Sequence, residues 1–270
     1  MRVYITGIAG FIGSHLAKAL KAQGHMVGGC DNLVFSNGSN LDRDEVSWTK
    51  RDVMDLGKSS FDWSDPEVIV HLAAVSCSRH PNDALVWRNN LRATSNLLTA
   101  AQGRRIVFAS TCLATKPETG AYAASKWACE QILHPENAAI LRLANVYGPK
   151  QRDWGTEPSA MAAWRKAEAE GKPIRIDGDG TQTRDFIHVD DVVRAFSLAV
   201  ANPQTDGKIL DICTGHQTSI NDASKLFEGE RVNGRRPHND PDATWQYPQP
   251  AEDLIGFKAE IPLFNLSEAA

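Results

Sequence analysis

The sequence predicts an α/β protein: a doubly wound parallel sheet with a smaller C-terminal α/β lobe. Three observations carry this prediction. β-rich runs and amphipathic helical runs alternate from the first residues, the signature of parallel strands joined by helical crossovers. The run Val-Ile-Val-His-Leu at 68–72 is apolar throughout, as suits a strand buried on both faces. A glycine-rich turn sits between the first strand and the first helix.

In chain order, 2–6 reads as a strand and 10–23 as a helix with Ile12, Leu16, Ala19 and Leu20 on one face. Strands follow at 26–30, 46–51 and 68–72. A long helix is expected over 83–102, a strand over 105–109, a helix over 121–133 and a strand over 138–143. The character changes after Tyr147-Gly148-Pro149. From 150 to 179 one helix, 159–170, lies between loops. A helix at 189–201 and a strand at 208–212 return to the earlier pattern. The stretch 228–250, rich in Arg, Asn, Asp and Pro, reads as loop. The domain expectation is therefore 1–143 plus about 189–217 for the sheet domain, with 144–188 and 218–270 forming a substrate lobe.

Composition narrows the class. The chain has 270 residues, 42% hydrophobic and 23% charged, with a formal charge of −4. That is a globular composition with no basic stripe, which argues against nucleic acid as partner. No apolar run approaches the roughly 20 residues that span a bilayer, and the N-terminus does not read as a signal peptide. The five cysteines, Cys30, Cys77, Cys112, Cys129 and Cys213, are scattered without a C-x-x-C pair. No disulfide framework or metal site is expected, and a cytoplasmic setting is.

The first chemical signal is Gly7, Gly10 and Gly13, spaced G-x-x-G-x-x-G where a strand hands over to a helix. Such a turn lets the backbone approach a pyrophosphate and presents a bare helix start to it. Asp31, at the end of the second strand, is placed to accept from ribose hydroxyls and to repel a 2′-phosphate. Apart from Lys21, no Lys or Arg lies within ten residues of it, so NAD is expected over NADP. Asp52 and Val53, after the third strand, are candidates for the adenine end.

The second signal is Tyr122 and Lys126, a phenol and an ammonium at i and i+4 on one helical face. A fixed positive charge favours phenolate and makes a tyrosine a usable base near neutral pH. Ser110 and Thr111 end a buried strand, where open α/β sheets place their sites. A hydroxyl there can hold a substrate oxygen beside the phenol.

These motifs, with Asp31-Asn32-Leu33, His71-Leu72-Ala73-Ala74, Asn89-Asn90 with Ala93-Thr94, 142–149 (Arg-Leu-Ala-Asn-Val-Tyr-Gly-Pro) and 178–192 (Gly-Asp-Gly-Thr-Gln-Thr-Arg-Asp-Phe-Ile-His-Val-Asp-Asp-Val), resemble the extended short-chain dehydrogenase/reductase superfamily, specifically its NAD-dependent nucleotide-sugar epimerase/dehydratase family. The resemblance covers nearly the whole chain. It implies a Rossmann-type NAD domain, with the cofactor held by Gly7, Gly10, Phe11, Ile12, Gly13, Asp31, Asn32, Asp52, Val53, Leu72, Ala73, Ala74, Asn90, Tyr122, Lys126, Leu143 and Val146. It makes Tyr122 the acid/base and Lys126 the group that binds the nicotinamide ribose and lowers the tyrosine pKa. It makes Thr111 the hydroxyl on the reacting sugar oxygen, with Ser110 as the fallback. It puts Asn145 on a nucleotide-diphosphate sugar and Arg184 on the diphosphate, with Arg235 or Arg236, the latter preferred, as a second phosphate arginine. It also implies a homodimer through the helices 83–102 and 121–133.

Three departures from the family shape the expected activity. Only eleven positions separate Thr111 from Tyr122, where the family has a longer loop, and Cys112-Leu113-Ala114 replaces Val-Tyr-Gly. The C-terminal lobe is short. The Asp-Glu pair of a dehydratase and the Glu of a decarboxylase are missing. The expectation is a 4-epimerase working through a 4-keto sugar. The alternatives are a ketoreductase or dehydrogenase on the same fold, or a dinucleotide-binding sensor or scaffold. Cys112, His71 and His188 read as structural. Trp154 and Trp164 either shape the sugar pocket or pack the small lobe.

Overall fold

The computed structural model describes residues 1–58, 65–133, 138–155 and 158–263. Its sheet domain begins with β1 (Arg2–Thr6), α1 (Phe11–Ala22), β2 (Met26–Asp31), β3 (Ser47–Lys50) and β4 (Val68–His71). A long helix follows in three sections: α2 (Asp83–Trp87), a π-helical turn (Arg88–Arg92) and α3 (Ala93–Ala101). Then come β5 (Arg105–Thr111), α4 (Ala121–Leu133), β6 (Ala139–Leu143) and β7 (Asn145–Tyr147). The remainder is α5 (Ala160–Ala169), β8 (Ile174–Asp177), β9 (Thr183–Arg184), β10 (Phe186–His188), α6 (Val189–Ala201), β11 (Ile209–Ile212), β12 (Thr218–Ser219), α7 (Ile220–Ser224), β13 (Arg231–Gly234) and α8 (Gln249–Ile255).

Seven strands form one parallel sheet in the order β11-β6-β5-β4-β1-β2-β3. The order reverses between β1 and β4, which opens a crevice at their C-terminal ends, the place where such sheets bind ligands. Alternating side chains feed two cores. Val3 and Ile5 face α1 and α6 through Leu16, Leu20, Val192 and Phe196. Tyr4 and Ile69 face α3 and α4 through Leu97, Cys129 and Leu133. The predicted helices and sheet strands are all present within a residue or two. The one refinement is the π-helical turn inside the long helix 83–102.

The small lobe has its own core of Tyr147, Met161, Trp164, Ile174, Ile176, Phe186 and Ile220. Trp164 thus packs the lobe, and its indole N–H donates to the Arg175 carbonyl at 2.8 Å. The loop expected over 228–250 contains β13, which runs parallel to β8, and the first two residues of α8. The loops expected around 174–177 likewise contain β8. Strands of two to four residues carry no readable period, and only their partners define them. The end of the chain assigned to this lobe, 264–270, lies outside the described residues. Among the described residues no helix is long and apolar enough to cross a membrane.

Candidate active site

A cleft of about 1210 Å³ runs from the glycine turn to the small lobe. At its cofactor end the turn is shaped by close backbone approach. Gly7 has φ +71°, and a Cβ on it would lie 2.9 Å from the Ala73 nitrogen. A Cβ on Gly13 would lie 2.2 Å from the Gly7 carbonyl oxygen. Gly10 caps α1 without a side chain, and the first turn carries no acid. The leading N–H groups of α1 are therefore left to an anion, and the helix dipole favours one there. This donor set and glycine cradle fit a dinucleotide pyrophosphate.

Asp31 ends β2 and is almost fully buried. It accepts from the Leu33 N–H at 2.8 Å, the Ser36 hydroxyl at 3.1 Å and the Ala9 N–H at 3.2 Å. Burial pushes its carboxyl above the usual range, and these donors pull against that. Two carboxylate oxygens keep room for a ribose hydroxyl beside these three bonds. Asn32 donates to Asp52 at 2.9 Å, so the expected ribose and adenine residues form one wall with Val53. One neighbour escaped the sequence count: Arg51 lines the same wall, because β3 pairs in register with β2 and Asp31 stands opposite Lys50. An Nη of Arg51 donates to the Asp55 carbonyl. Phe11, Ile12, Leu72, Ala73, Ala74, Leu143 and Val146 all line the cleft.

Asn90 has a different role. It lies buried in the π-helical turn, accepts from the Val75 N–H at 2.8 Å and donates to the Val75 carbonyl and to Ser125 Oγ. Its amide therefore pins the loop after β4 against α4, and it is absent from the cleft surface. Such turns recur where a helix serves a site.

At the catalytic end, Thr111 closes β5 and Tyr122 lies in the first turn of α4, and both line the cleft close to one another. Burial raises the Tyr122 phenol above its ordinary range, and the Thr111 contact lowers it. Lys126 lies one helical turn deeper and is buried, its Nζ 4.3 Å from the Phe108 ring centroid. Burial brings its pKa down to about 8. The sequence expectation that the ammonium makes this phenol acidic differs from the arrangement found: the ammonium rests on an aromatic face, and desolvation dominates the phenol. Ser110 is drawn elsewhere. Its hydroxyl donates to the fully buried Glu130, which Arg142 grips with two bonds of 2.9 and 2.7 Å.

Asn145 lines the cleft from β7. Arg184 does so from β9, with its guanidinium 2.7 Å from Asp240. Asp240 also lies 3.5 Å from Arg79 and 3.6 Å from Arg236. Arg79, from the loop after β4, further pairs with Asp177 at 2.7 Å. Arg236 is held by Asp242 and does not reach the cleft surface. Arg79 and Asp240 were missed in the sequence. The run Arg235-Arg236-Pro-His-Asn-Asp240 carried the only signal for the second. Trp154 is 40% exposed and lines the cleft, and Trp164 both packs the lobe core and lines the cleft.

His71 is sealed between Thr6 at 2.7 Å and Thr94 at 3.0 Å, and burial drops its pKa to about 3. It is structural, as is His188, whose ring accepts from the Asp190 N–H at the start of α6. Burial pushes the Cys112 thiol up, away from reactivity.

The model of the NAD dependent epimerase/dehydratase family matches residues 3–213. The chain is 34% identical over 262 residues to a UDP-glucose 4-epimerase of Mycolicibacterium smegmatis, covering 85% of this chain and 82% of that one. Its fold matches a UDP-glucose 4-epimerase of Thermotoga maritima crystallised with UDP-glucose, with a TM-score of 0.90, 28% identity and coverage of 100% and 97%. It also matches a UDP-glucuronic acid 4-epimerase of Bacillus cereus in complex with UDP-glucuronic acid and NAD, with a TM-score of 0.85, 27% identity and the same coverage. The glycine cradle, the carboxylate at the end of β2 and the neighbouring Tyr122 and Thr111 agree with that kinship, and the chain belongs to the NAD dependent epimerase/dehydratase family.

Proposed function

We propose that this protein is an NAD-dependent epimerase that inverts C4 of a nucleotide-diphosphate sugar. The observation that carries the reading is the Tyr122–Thr111 hydroxyl pair, set in the cleft that leads to the glycine turn. When bound, NAD would supply the hydride acceptor and donor for the sugar carbon. Gly7, Gly10, Gly13, Asp31 and Asn32 would hold it. Tyr122 takes the proton of the C4 hydroxyl and later gives it back. Thr111 fixes that hydroxyl by hydrogen bonding.

The buried Lys126 ammonium, one helical turn along, supplies the positive charge that favours the phenolate. Arg184 binds the diphosphate in place of its bond to Asp240, and Asn145 contacts the sugar nucleotide. Arg236 contributes from outside the present cleft surface through Asp240. Ser110 and Asn90 act as positioning residues, one through Glu130 and the other through the loop at Val75.

The separate core around Trp164 supports a substrate lobe, but Ala251, Ile255 and Phe257 pack into the sheet-domain core, so the segment around α8, expected in the lobe, goes with the sheet domain. A homodimer through the two long helices is supported by Trp87 and Trp127, 38% and 44% exposed on them. Five buried thiols suit a reducing cytoplasm.

The deciding experiment incubates the purified protein with a panel of UDP-, dTDP- and GDP-sugars and follows the sugars by chromatography. Interconversion of C4 epimers without net cofactor use is expected. Stoichiometric consumption of added NADH would make it a ketoreductase, and no turnover of any member would leave a dinucleotide-binding sensor.

A further inference from the structure

The two walls of the cleft are tied together at the cofactor end. One wall is the loop after β2, residues 32–41; the other is 148–155, after β7. Lys150 Nζ donates to the Asn40 carbonyl at 2.8 Å, and the Asn40 amide donates back to the Lys150 carbonyl at 3.4 Å. The Arg152 guanidinium lies 5.3 Å from the ring centroids of both Phe35 and Trp154, one from each wall. Among the described residues no carboxylate pairs with Arg152, so these two rings are what hold it. All five residues line the same cleft as Asp31.

The strap is also stiff at its root. Gln151 donates to the Val146 carbonyl at 2.7 Å, and Arg165 of α5 donates to the carbonyls of Gly148 and Gln151 at 3.1 and 3.0 Å. Leu33 and Lys150, one in each wall, both take φ +63°. Left-handed backbone at non-glycine residues concentrates where ligands are clamped. None of these contacts touches the Tyr122–Thr111 pair.

We propose that residues 148–155 form a latch that retains NAD from one turnover to the next, with Arg152 as the group that closes it. A cofactor leaving by this side must break the Arg152–Phe35 contact and a pair of hydrogen bonds together, while Trp154 holds the guanidinium in place from its own wall, which slows release more than uptake. Retention suits the epimerase reading, on which the inference rests. An epimerase returns its hydride to the same substrate and never needs fresh cofactor, whereas a reductase must exchange it.

The test loads the protein with NAD, adds excess deuterium-labelled NAD, and follows the label in the protein-bound dinucleotide by mass spectrometry after rapid gel filtration. Arg152→Ala and Phe35→Leu are each expected to speed exchange roughly tenfold over the wild type. Phe35→Leu keeps the apolar volume while removing the ring face, and unchanged thermal denaturation excludes misfolding. Exchange within twofold of wild type in both variants, with NAD still bound, overturns the latch alone. Wild-type exchange as fast as in Arg152→Ala does the same. A wild-type protein that neither carries nor takes up NAD overturns the cofactor assignment and the latch together.

Discussion

The two ends of the cleft are built from different materials. At the cofactor end the backbone makes the site: β1 passes through Gly7, Gly10 and Gly13 into α1, and a single added Cβ would collide with main-chain atoms. At the substrate end side-chain charges make it: Arg79, Arg184 and Arg236 gather on Asp240, and the strands beneath them are two to four residues long. A backbone site tolerates almost no change in residue type but needs no partner. A charge-built site can be re-tuned one side chain at a time, because each guanidinium already has a carboxylate that keeps it in place while the ligand is absent.

The largest effect is expected where the two ends meet. Tyr122→Phe should lower kcat about a thousandfold, read from epimer interconversion, with NAD still bound. Loss of less than tenfold would mean that another group moves the proton. Next comes the backbone end. Gly13→Ala should weaken NAD binding by about a hundredfold, measured by fluorescence titration, because the new methyl cannot coexist with the Gly7 carbonyl. At the charge-built end, Arg184→Ala should raise KM for the sugar nucleotide roughly tenfold or more with a smaller change in kcat. Equal losses from Gly13→Ala and Arg184→Ala in both NAD and sugar-nucleotide affinity would break the distinction between the two ends.

The smallest effects concern Lys126. Its pKa is brought to about 8, below the unfolded value, so folding is opposed by the need to bury its charge at neutral pH. Lys126→Met should therefore stabilise the protein by about 1–3 kcal/mol at pH 7 in urea titrations while impairing turnover. The sign is fixed by linkage. Between pH 8 and the unfolded lysine pKa the unfolded chain binds the extra proton, so wild-type stability should rise with pH there, and the variant should lack that rise. Wild-type activity should fall above about pH 8 as the ammonium is lost.

The contrast between the two ends also explains what the sequence could say. Gly7, Gly10, Gly13 and Asp31 were legible because a backbone demand leaves fixed residues at fixed spacing. Tyr122 and Lys126 were legible because a helix repeats. Arg79 was not, since only the fold carries the loop after β4 to Asp177 and Asp240. Arg51 was missed for a similar reason: its closeness to Asp31 comes from strand register, and a window along the chain does not contain it. Lys126 was placed correctly on its helix, but its rest against Phe108 depends on β5 packing beneath α4. β8 and β13 define each other across more than fifty residues, and neither has a pattern of its own.

The π-helical turn at 88–92 has a consequence for how this chain can change. It holds one residue more than an α-helical turn, so everything N-terminal to it is rotated by about 100° relative to an uninterrupted helix. Trp87 lies on the near side of that turn and Leu97, in the core, on the far side. Deleting one residue there would swing the tryptophan around the axis and leave the buried face beyond it in phase. Buried Val86 would swing out with it and Asn90 would lose its bonds to Val75, so the extra residue is what lets both sections of this helix face the protein at once.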